Sequence, residues 1–520
     1  MNAAGLYGSR VVVFQGDINS VPLPDYFANL IISQKCLLNG DPLTVSSNIK
    51  RCQRPDGGVI IESYTAGKIA LNIREKLKGV GEWTHQYHDP ANTAVSDDIT
   101  LNGKLEMLWF KDSDFEMTAR HGRGVAPLYK DGRLFVAGVN GIRAVDAYNG
   151  QILWEHFIDN LASEFDQEHN MGAAITQGNW CIEGDKIFVR RGLSKYRRAA
   201  TGCYVIDTKT GSRVATFNAP EGYWGYIAAK NGTLFGTVAN TEHIVVRGHR
   251  EMSESNNQFS ESGSVFAMDI SNGEILWEYK AAHSIRHNTI TIGNDKIYFI
   301  DRPVADIDRM YRRGVVQEHK AGTLVALDAR TGKKLFHNSD DIWGTLLILN
   351  EKYNRIIMSY NDVRLSLPSE RGGKIAVFDS NTGMKIWESS TRQNLPDNYL
   401  SSGRSRPLVN DTIIFYEPET FNLFTGNVVN NNFQRSYGCG IISGSKNMLF
   451  FRSATIGYYW LNNTDAGVQN YGGIKPGCWI NMIPAGGLVL MPDATSRCDC
   501  SYLMKSWIAL KPVKDADFIL

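Results

Sequence analysis

The sequence predicts a mainly β protein, an eight-bladed β-propeller that follows a short α/β segment. A strand–turn–strand pattern recurs along the chain, and eight apolar strands lie at matching positions upstream of it. The composition is also rich in glycine and aromatic residues, with 49 Gly, 11 Trp, 22 Tyr and 22 Phe among 520 residues. Such a composition favours short strands separated by tight turns. A seven-bladed ring is the alternative count.

Six segments share the repeat, in which an apolar strand ends in Asp or Asn, and Gly follows four residues later. They are Asp146–Gly150, Asp207–Gly211, Asp269–Gly273, Asp328–Gly332, Asp379–Gly383 and a weaker Asn422–Gly426. The side chain can accept turn amide hydrogens, while Gly supplies the positive φ that closes a hairpin. Successive segments lie 43 to 62 residues apart, which fits one four-stranded blade with its loops. The aromatic residue that often follows should pack between neighbouring sheets.

Eight similar strands precede these positions or continue their spacing. They are Leu134–Val136, Ile187–Val189, Leu234–Phe235, Ile297–Phe299, Ile356–Met358, Ile413–Phe415, Leu449–Phe451 and Leu488–Leu490. Ser506–Leu510 predicts a closing strand, and Leu105–Trp109 should complete the last blade, because ring closure removes an exposed sheet edge. The predicted domains are an α/β segment over 1–80, a linker over 81–104 and a propeller over 105–520.

The first eighty residues alternate apolar strands with helical stretches. Val11–Asp17 predicts a buried strand that ends in an acid, Ala28–Ser33 predicts a second strand, and Arg54–Ile61 predicts a turn that feeds a third. This alternation indicates a parallel α/β sheet.

The charge balance excludes some functions. Lys and Arg total 55 against 54 Asp and Glu, a formal net charge of +1, which gives no attraction toward nucleic acid or an anionic membrane. No apolar stretch reaches the roughly 18 residues of a membrane span. The net charge therefore predicts no nucleic-acid partner, and the short apolar stretches predict no membrane span. The residues from Met1 to Gly5 do not begin a signal peptide.

The repeat, typified by Val325–Phe336, resembles that of the pyrroloquinoline-quinone-like propeller proteins. Glu82–Asn92 and Arg497–Tyr502 are similar to the bacterial members, abundant in planctomycetes, that join part of a class I methyltransferase-like region to the propeller. The resemblance implies an extracytoplasmic, periplasmic location. It also implies that Asp17 would meet the adenine end of S-adenosylmethionine.

The N-terminal resemblance is incomplete, because the glycine-rich loop that approaches the cofactor should lie well upstream of Asp17. Binding of S-adenosylmethionine and methylation by this chain alone are therefore not expected. A sheet that lacks half its strands exposes an apolar edge. We expect this region to pack on the propeller or to be completed by an upstream polypeptide.

The resemblance leaves pyrroloquinoline quinone with calcium as a possible cofactor. In the dehydrogenases of that family the quinone sits between a disulfide of adjacent cysteines and a Trp, and acids and an amide hold the calcium. The sequence has no adjacent Cys pair and no Cys-x-x-Cys-His motif for haem. The repeat therefore predicts blades and is weak evidence for redox chemistry, so no cofactor is assigned.

Ligand sites of propellers lie where the innermost strands open at the central channel. Candidate rim residues precede each upstream strand by about ten positions: His121, Arg123, His169, Asn170, Trp224, Tyr226, Arg286, His287, Trp343, Arg404, Arg406, Tyr437, Cys439, Cys478 and Trp479. Arg and His beside aromatic faces suit an anionic or saccharide ligand. The alternative is that these residues only hydrogen-bond loop backbone at the entry to each blade.

Two classes of function remain open for this rim. The first is a ligand-binding or scaffold propeller, with Trp224, Tyr226, Trp343, Arg404 and Arg406 as binding residues. The second is an enzyme, either a quinoprotein-like oxidoreductase or a polysaccharide lyase in which a His beside an Arg removes a proton next to a carboxylate. The catalytic candidates are His121, Arg123, His169, Arg286 and His287.

Two further groups of residues have metal-like or disulfide-like spacing. His85 and His88 lack an obvious third ligand and are expected to be structural. Four cysteines cluster late in the chain, and two disulfides near the ring closure are the leading interpretation. A Cys₄ metal site and free thiols are the alternatives. The four are Cys439, Cys478, Cys498 and Cys500.

Overall fold

The structure is a computed structural model that divides into two compact units, Met1–Lys78 and Gly79–Leu520. It describes residues 4–117, 125–162, 178–191, 201–240, 261–303, 321–360, 372–391, 406–493 and 504–513, except 6, 9, 18, 19, 21, 66, 430–432, 434, 437, 439, 478, 479 and 481. The predicted linker over 81–104 falls within the second unit.

The first unit contains two short helices and one three-stranded sheet. Its elements are β1 (Leu30–Ile31), α1 (Gln34–Asn39), α2 (Ser47–Cys52), β2 (Val59–Thr65) and β3 (Lys68–Ile73). β1 pairs with β2 in parallel, and β2 pairs with β3 antiparallel. Among the described residues, no helix is long and apolar enough to cross a membrane.

The predicted strand over Val11–Asp17 is wrong. These residues form no strand, and Val12, Val13 and Phe14 are exposed. An apolar run becomes a strand only where a neighbouring strand accepts its backbone hydrogen bonds. The predictions of a second and a third strand correspond to β1 and β2. The sheet is mixed rather than parallel, because β3 pairs antiparallel with β2.

The second unit begins its sheets with β4 (Leu105–Asp112). Consecutive antiparallel sheets then follow along the chain. Their strands are β5 (Leu128–Lys130), β6 (Arg133–Gly138), β7 (Gly141–Asp146), β8 (Ile152–Phe157); β9 (Trp180–Glu183), β10 (Lys186–Arg190), β11 (Cys203–Asp207), β12 (Arg213–Phe217); β13 (Trp224–Lys230), β14 (Thr233–Ala239), β15 (Glu261–Asp269), β16 (Ile275–Arg286); β17 (Thr291–Gly293), β18 (Lys296–Asp301), β19 (Thr323–Asp328), β20 (Lys334–Asn338); β21 (Leu346–Asn350), β22 (Arg355–Ser359), β23 (Lys374–Asp379), β24 (Lys385–Ser390); β25 (Leu408–Asn410), β26 (Ile413–Tyr416), β27 (Glu419–Asn422); β28 (Ser443–Gly444), β29 (Met448–Ser453), β30 (Thr455–Trp460), β31 (Gln469–Tyr471); and β32 (Ile483–Ala485), β33 (Leu488–Pro492), β34 (Ser506–Pro512).

Most of these groups are separate four-stranded sheets. β13–β16 and β17–β20 are joined into one sheet through a single residue pair, Ile285 with Asp301. β25–β27 form three strands among the described residues. The second strand of each group contains one of the eight predicted upstream strands. A succession of small antiparallel sheets of this kind is a β-propeller.

The last described strand completes the sheet that contains the first strand of the unit. β34 pairs with β4 along its length, from Ser506 opposite Asp112 to Pro512 opposite Leu105. The predicted closing strand is therefore confirmed. This pairing covers one edge of β4 and joins the two ends of the unit in one sheet.

The turns of the repeat have the predicted geometry. In β19–β20, the Asp328 Oδ1 atom accepts from the backbone N–H of Thr331 at 2.8 Å, and Gly332 has a φ of 68°. The ring of Trp277, from the preceding group, covers this turn. Its Nε1 donates to the carbonyl oxygen of Ala329 at 3.0 Å. The aromatic residue of one sheet thus packs on the turn of the next, as predicted.

The core lies between neighbouring sheets. Phe235 and Trp277 of one group pack in the same buried cluster as Phe299 and Val325 of the next. Each large apolar side chain buried in this way contributes roughly 1.5–3 kcal/mol. This packing between neighbouring sheets holds the first strand of each sheet in place. It thereby positions the residues at the ends of those strands.

Candidate functional site

A narrow cavity of about 10 Å³, room for about one water molecule, lies in the second unit where several first strands begin. One wall comes from residues in or just before β9, β13, β17 and β25, and the opposite wall comes from the chain that precedes β4. The lining residues are His85, Gln86, Tyr87, Asn92, Gly178, Trp180, Tyr226, Ile227, His287, Asn288 and Arg406. Three of the predicted rim residues, Tyr226, His287 and Arg406, meet here.

Arg406 brings a permanent positive charge into this cavity. Its guanidinium carbon lies 3.5 Å from the ring centroid of Tyr87, and its Nη2 donates to the carbonyl oxygen of Asn92 at 3.2 Å. Both side chains are buried. A guanidinium stacked on an aromatic face is held in one orientation, and its attraction to the ring strengthens where water is excluded.

His287 is a neutral hydrogen-bonding group at the start of β17. Its Nε2 lies 2.6 Å from the Ser262 hydroxyl oxygen and 3.5 Å from that of Thr237. Burial, together with the positive charges of Arg190 and Arg286, lowers the pKa of His287 to about 3. The imidazole is therefore uncharged at neutral pH and is a weak base.

His85 fixes the opposite wall of the cavity to β13. Its Nε2 accepts a hydrogen bond from the backbone N–H of Ala229 at 3.1 Å, and its Nδ1 lies 2.9 Å from the Thr84 hydroxyl oxygen. Burial lowers the pKa of His85 to about 3. Because Nε2 accepts, the single proton of the neutral ring belongs on Nδ1.

Other predicted rim residues have roles inside the sheets. Arg286 Nε lies 2.5 Å from Glu261 Oε1, and both side chains are buried. Trp224 Nε1 donates to the carbonyl oxygen of Pro220 at 3.0 Å. The ring of Trp343 stacks on Tyr360 with centroids 4.6 Å apart. None of these three residues lines the described cavity.

Many predicted site residues lie outside the described residues. They are His121, Arg123, His169, Asn170, Arg404, Tyr437, Cys439, Cys478, Trp479, Cys498 and Cys500. The disulfide and Cys₄ interpretations therefore stay predictions. Asp17, the predicted adenine-side acid, is exposed in the first unit. The described cysteines, Cys36, Cys52, Cys181 and Cys203, are free thiols.

Sequence reasoning missed the residues that come from the predicted linker. Gln86, Tyr87 and Asn92 line the cavity although 81–104 has no strand or helix pattern. One signal was present, because Trp83 and Tyr87 are large aromatic residues that a solvated linker does not need. Both are buried.

The described cavity does not fit a quinone held with calcium. Calcium requires several oxygen ligands, usually including carboxylates. The described lining has amides, imidazoles and a guanidinium but no carboxylate, and the described residues contain no group of three potential His, Cys, Asp or Glu metal ligands.

Comparison with known proteins was made for both sequence and structure. A family model described as outer membrane protein assembly factor BamB, of the pyrroloquinoline-quinone repeat type, matches residues 204–438. The quinohemoprotein alcohol dehydrogenase of Comamonas testosteroni is similar over 82% of this chain and 80% of its own, with 12% identity and a TM-score of 0.51. The second unit is a β-propeller whose fold is similar to that of the quinoprotein dehydrogenases.

Two further solved structures show the same fold. The quinohemoprotein alcohol dehydrogenase ADHIIG of Pseudomonas putida HK5 matches 83% of this chain and 80% of its own, with 12% identity and a TM-score of 0.51. A europium-containing methanol dehydrogenase matches 84% of this chain and 98% of its own, with 12% identity and a TM-score of 0.50. A search of curated proteins finds no match. The family match lies within the second unit, so the methyltransferase-like and planctomycete resemblances stay predictions.

Proposed function

We propose that the quinoprotein-type propeller binds a small anionic saccharide at this cavity, whose narrow interior admits only the ligand's carboxylate group, with Arg406 as the partner of that group. The observation that carries this proposal is the buried Arg406 guanidinium, which lies 3.5 Å from the ring centroid of Tyr87 and lines the cavity beside the amides of Asn92 and Asn288. Guanidinium pairs with carboxylate through two parallel hydrogen bonds. Amide side chains of Asn92 and Asn288 supply donors and acceptors suited to sugar hydroxyls.

Binding is favoured over proton abstraction at this site. A lyase needs a base whose pKa lies near the working pH. Burial lowers the pKa of His287 to about 3, and the Ser262 hydroxyl already lies 2.6 Å from its Nε2. We therefore assign His287 to ligand positioning, and a lyase would need a base from another part of the chain.

Three finer features belong to the same proposal. An eight-bladed count is supported by eight strand groups that each contain one of the predicted upstream strands. An extracytoplasmic location is supported by the match to a family named for outer membrane protein assembly. A polypeptide that completes the first unit is supported by the short edge strand β1, in which Leu30 is exposed.

The test of the ligand is calorimetric titration of the full chain with glucuronate and, in parallel, with glucose. We expect glucuronate to bind and glucose to bind at least about tenfold more weakly, because loss of a buried charged hydrogen-bond partner costs 2 kcal/mol or more. Arg406→Gln should weaken glucuronate binding by at least about tenfold and leave the weak binding of glucose unchanged.

The matched control is Arg213→Gln, which removes the same charge from an exposed position on β12. It should bind glucuronate as the wild type does. Equal affinity of the wild type and Arg406→Gln for glucuronate would place any binding site elsewhere. Absence of binding in the wild type would reject this ligand class.

A further inference from the structure

Residues 81–98, called here the 81–98 segment, contact the first strand of one sheet after another. The segment has no helix or extended sheet of its own, so its backbone groups need partners elsewhere. The contacts occur in the same order as the sheets along the chain. They are Trp83 with Tyr129 of β5, Thr84 with Ile182 of β9, His85 with Ala229 of β13, Pro90 with Ile292 of β17, Ala91 with Leu349 of β21, Thr93 with Val409 of β25, and Ala94 and Ser96 with Gly444 of β28.

The hydrogen bonds in this series have ordinary lengths. The backbone N–H of Ile292 donates to the Pro90 carbonyl at 2.9 Å, and that of Leu349 donates to the Ala91 carbonyl at 2.9 Å. Each of the strands β9, β13, β17, β21, β25 and β28 gives one N–H to the segment. The segment therefore occupies donors that would otherwise face the space inside the ring.

The two ends of the segment meet at Asp98. Its Oδ2 accepts from the backbone N–H of Gly81 at 3.1 Å and from that of Gly487, after β32, at 2.8 Å. Its Oδ1 accepts from the N–H and hydroxyl of Thr100 and from the N–H of Leu101. The Asp98 side chain is fully buried. A carboxylate that accepts five hydrogen bonds is held in one position.

The conformation of the segment depends on these partners. His88, Asn92 and Ala94 all have positive φ, at 78°, 63° and 57°. Left-handed backbone at residues other than glycine persists only where the surroundings hold it in place. Three such residues within seven positions indicate that the ring, rather than local preference, shapes the segment.

We propose that the 81–98 segment is an intramolecular peptide ligand of the propeller, which fastens the first strands to one another and is locked into a closed loop by Asp98. The segment acts as one cooperative unit, so that release at Asp98 loosens its contacts all around the ring. The same segment supplies the His85, Tyr87 and Asn92 wall of the cavity. This role does not depend on the identity of the cavity's ligand.

Residue-resolved hydrogen exchange of the full chain with Asp98→Asn tests the proposal. An amide group at position 98 would point N–H donors at other N–H donors and would break the lock. We expect the amides that donate to the segment to exchange at least about tenfold faster than in the wild type. The decisive reporter is Ile292, which lies four strand groups away from Gly487 in chain order.

The matched control is Asp97→Asn, which makes the same change one residue away. Asp97 is largely exposed, and its Oδ1 lies 3.0 Å from Lys446 Nζ. This variant should leave exchange at Ile292 unchanged. If Asp98→Asn accelerates exchange only near Gly81 and Gly487, the contacts are independent and the proposal is overturned.

A second variant and a wild-type measurement keep the test decisive if Asp98→Asn does not fold. Gly81→Ala leaves the carboxylate intact, but the added Cβ would lie 2.6 Å from the backbone nitrogen of Asp98. It should accelerate exchange at Ile292 as well. In the wild type with increasing denaturant, Ile182, Ala229, Ile292 and Leu349 should converge on one opening free energy. If each amide instead has the opening free energy of the sheet to which it belongs, the segment does not open as a single unit and the proposal is contradicted.

Discussion

At the scale of single residues, the two cavity histidines make folding sensitive to acid. Burial lowers the pKa of His85 and of His287 from 6.5 to about 3. Below about pH 6.5 the unfolded chain binds protons that the folded protein does not. Each histidine therefore lowers the unfolding free energy by about 1.4 kcal/mol per pH unit as the pH falls from about 6.5 toward 3.

The histidine at position 287 can be tested by difference. Between pH 4.5 and 6, His287→Gln should reduce the slope of the unfolding free energy against pH by about 1.4 kcal/mol per pH unit, the contribution of one proton. Above pH 7.5 the slope should stay unchanged. Urea unfolding of the wild type and the variant at matched pH values measures this difference. Parallel slopes below pH 6 would mean that His287 binds a proton in the folded protein.

At the scale of elements, the repeat turn is a steric contact between two sheets. A Cβ on Gly332 would lie 2.6 Å from Trp277 Cγ, and the residue has a φ of 68°. Gly332→Ala should cost about 2–4 kcal/mol, because overpacking adds to the strain of a left-handed alanine. The midpoint of the second unit's urea transition measures this loss.

A glycine with the same backbone conformation and open surroundings separates the two causes. Gly232 has a φ of 76°, and an added Cβ would meet nothing within 4 Å. Gly232→Ala should cost only about 1 kcal/mol, the backbone strain alone. Equal losses for the two variants would show that the Trp277 ring moves aside without cost.

The strand groups could be predicted from sequence, while most of the cavity could not. The Asp328-to-Gly332 turn is encoded by five consecutive residues, so its spacing is visible in the chain. The cavity combines Tyr87 with Arg406, which lie more than 300 positions apart in the sequence. No pattern of neighbouring residues in the sequence predicts the contact between these two side chains. The 81–98 segment was predicted to be a linker because its hydrogen-bond partners lie in other parts of the chain.

Local pattern also misled at the N-terminus. Val11–Asp17 has the apolar run of a buried strand, but the run is exposed and unpaired as a strand. An apolar run forms a strand only where a neighbouring strand supplies backbone hydrogen bonds. The residues of the run do not show whether such a neighbour is present. Counting back about ten positions from a strand predicts Tyr226, His287 and Arg406 for the rim, and these three residues line the cavity.

At the scale of the whole molecule, stability of the second unit depends on the pairing of its two ends. Ala509 lies in the middle of β34, is fully buried and faces Trp109 of β4. A proline there removes a ladder donor from an interior strand. Ala509→Pro should lower the thermal midpoint of the second unit at least about twice as much as Ala376→Pro.

Ala376 is the matched position because it is fully buried in β23, an interior strand of a sheet whose strands are adjacent in the chain. A proline there disturbs one sheet without opening the ring. Differential scanning calorimetry compares the two midpoints. Equal shifts would mean that β34 is no more important than any other strand.

The pairing of β34 with β4 also bears on how the protein is made. Ser506 and Asp112, opposite each other in that sheet, are 394 positions apart. At about 5–20 residues per second, a ribosome needs roughly 20–80 s to add the residues between them. Throughout that time β4 lacks its partner, and the 81–98 segment lacks several of its strands. The nascent chain therefore leaves the edge of β4 unpaired until Ser506–Pro512 have been added, and during that time this edge is open to pairing with other chains.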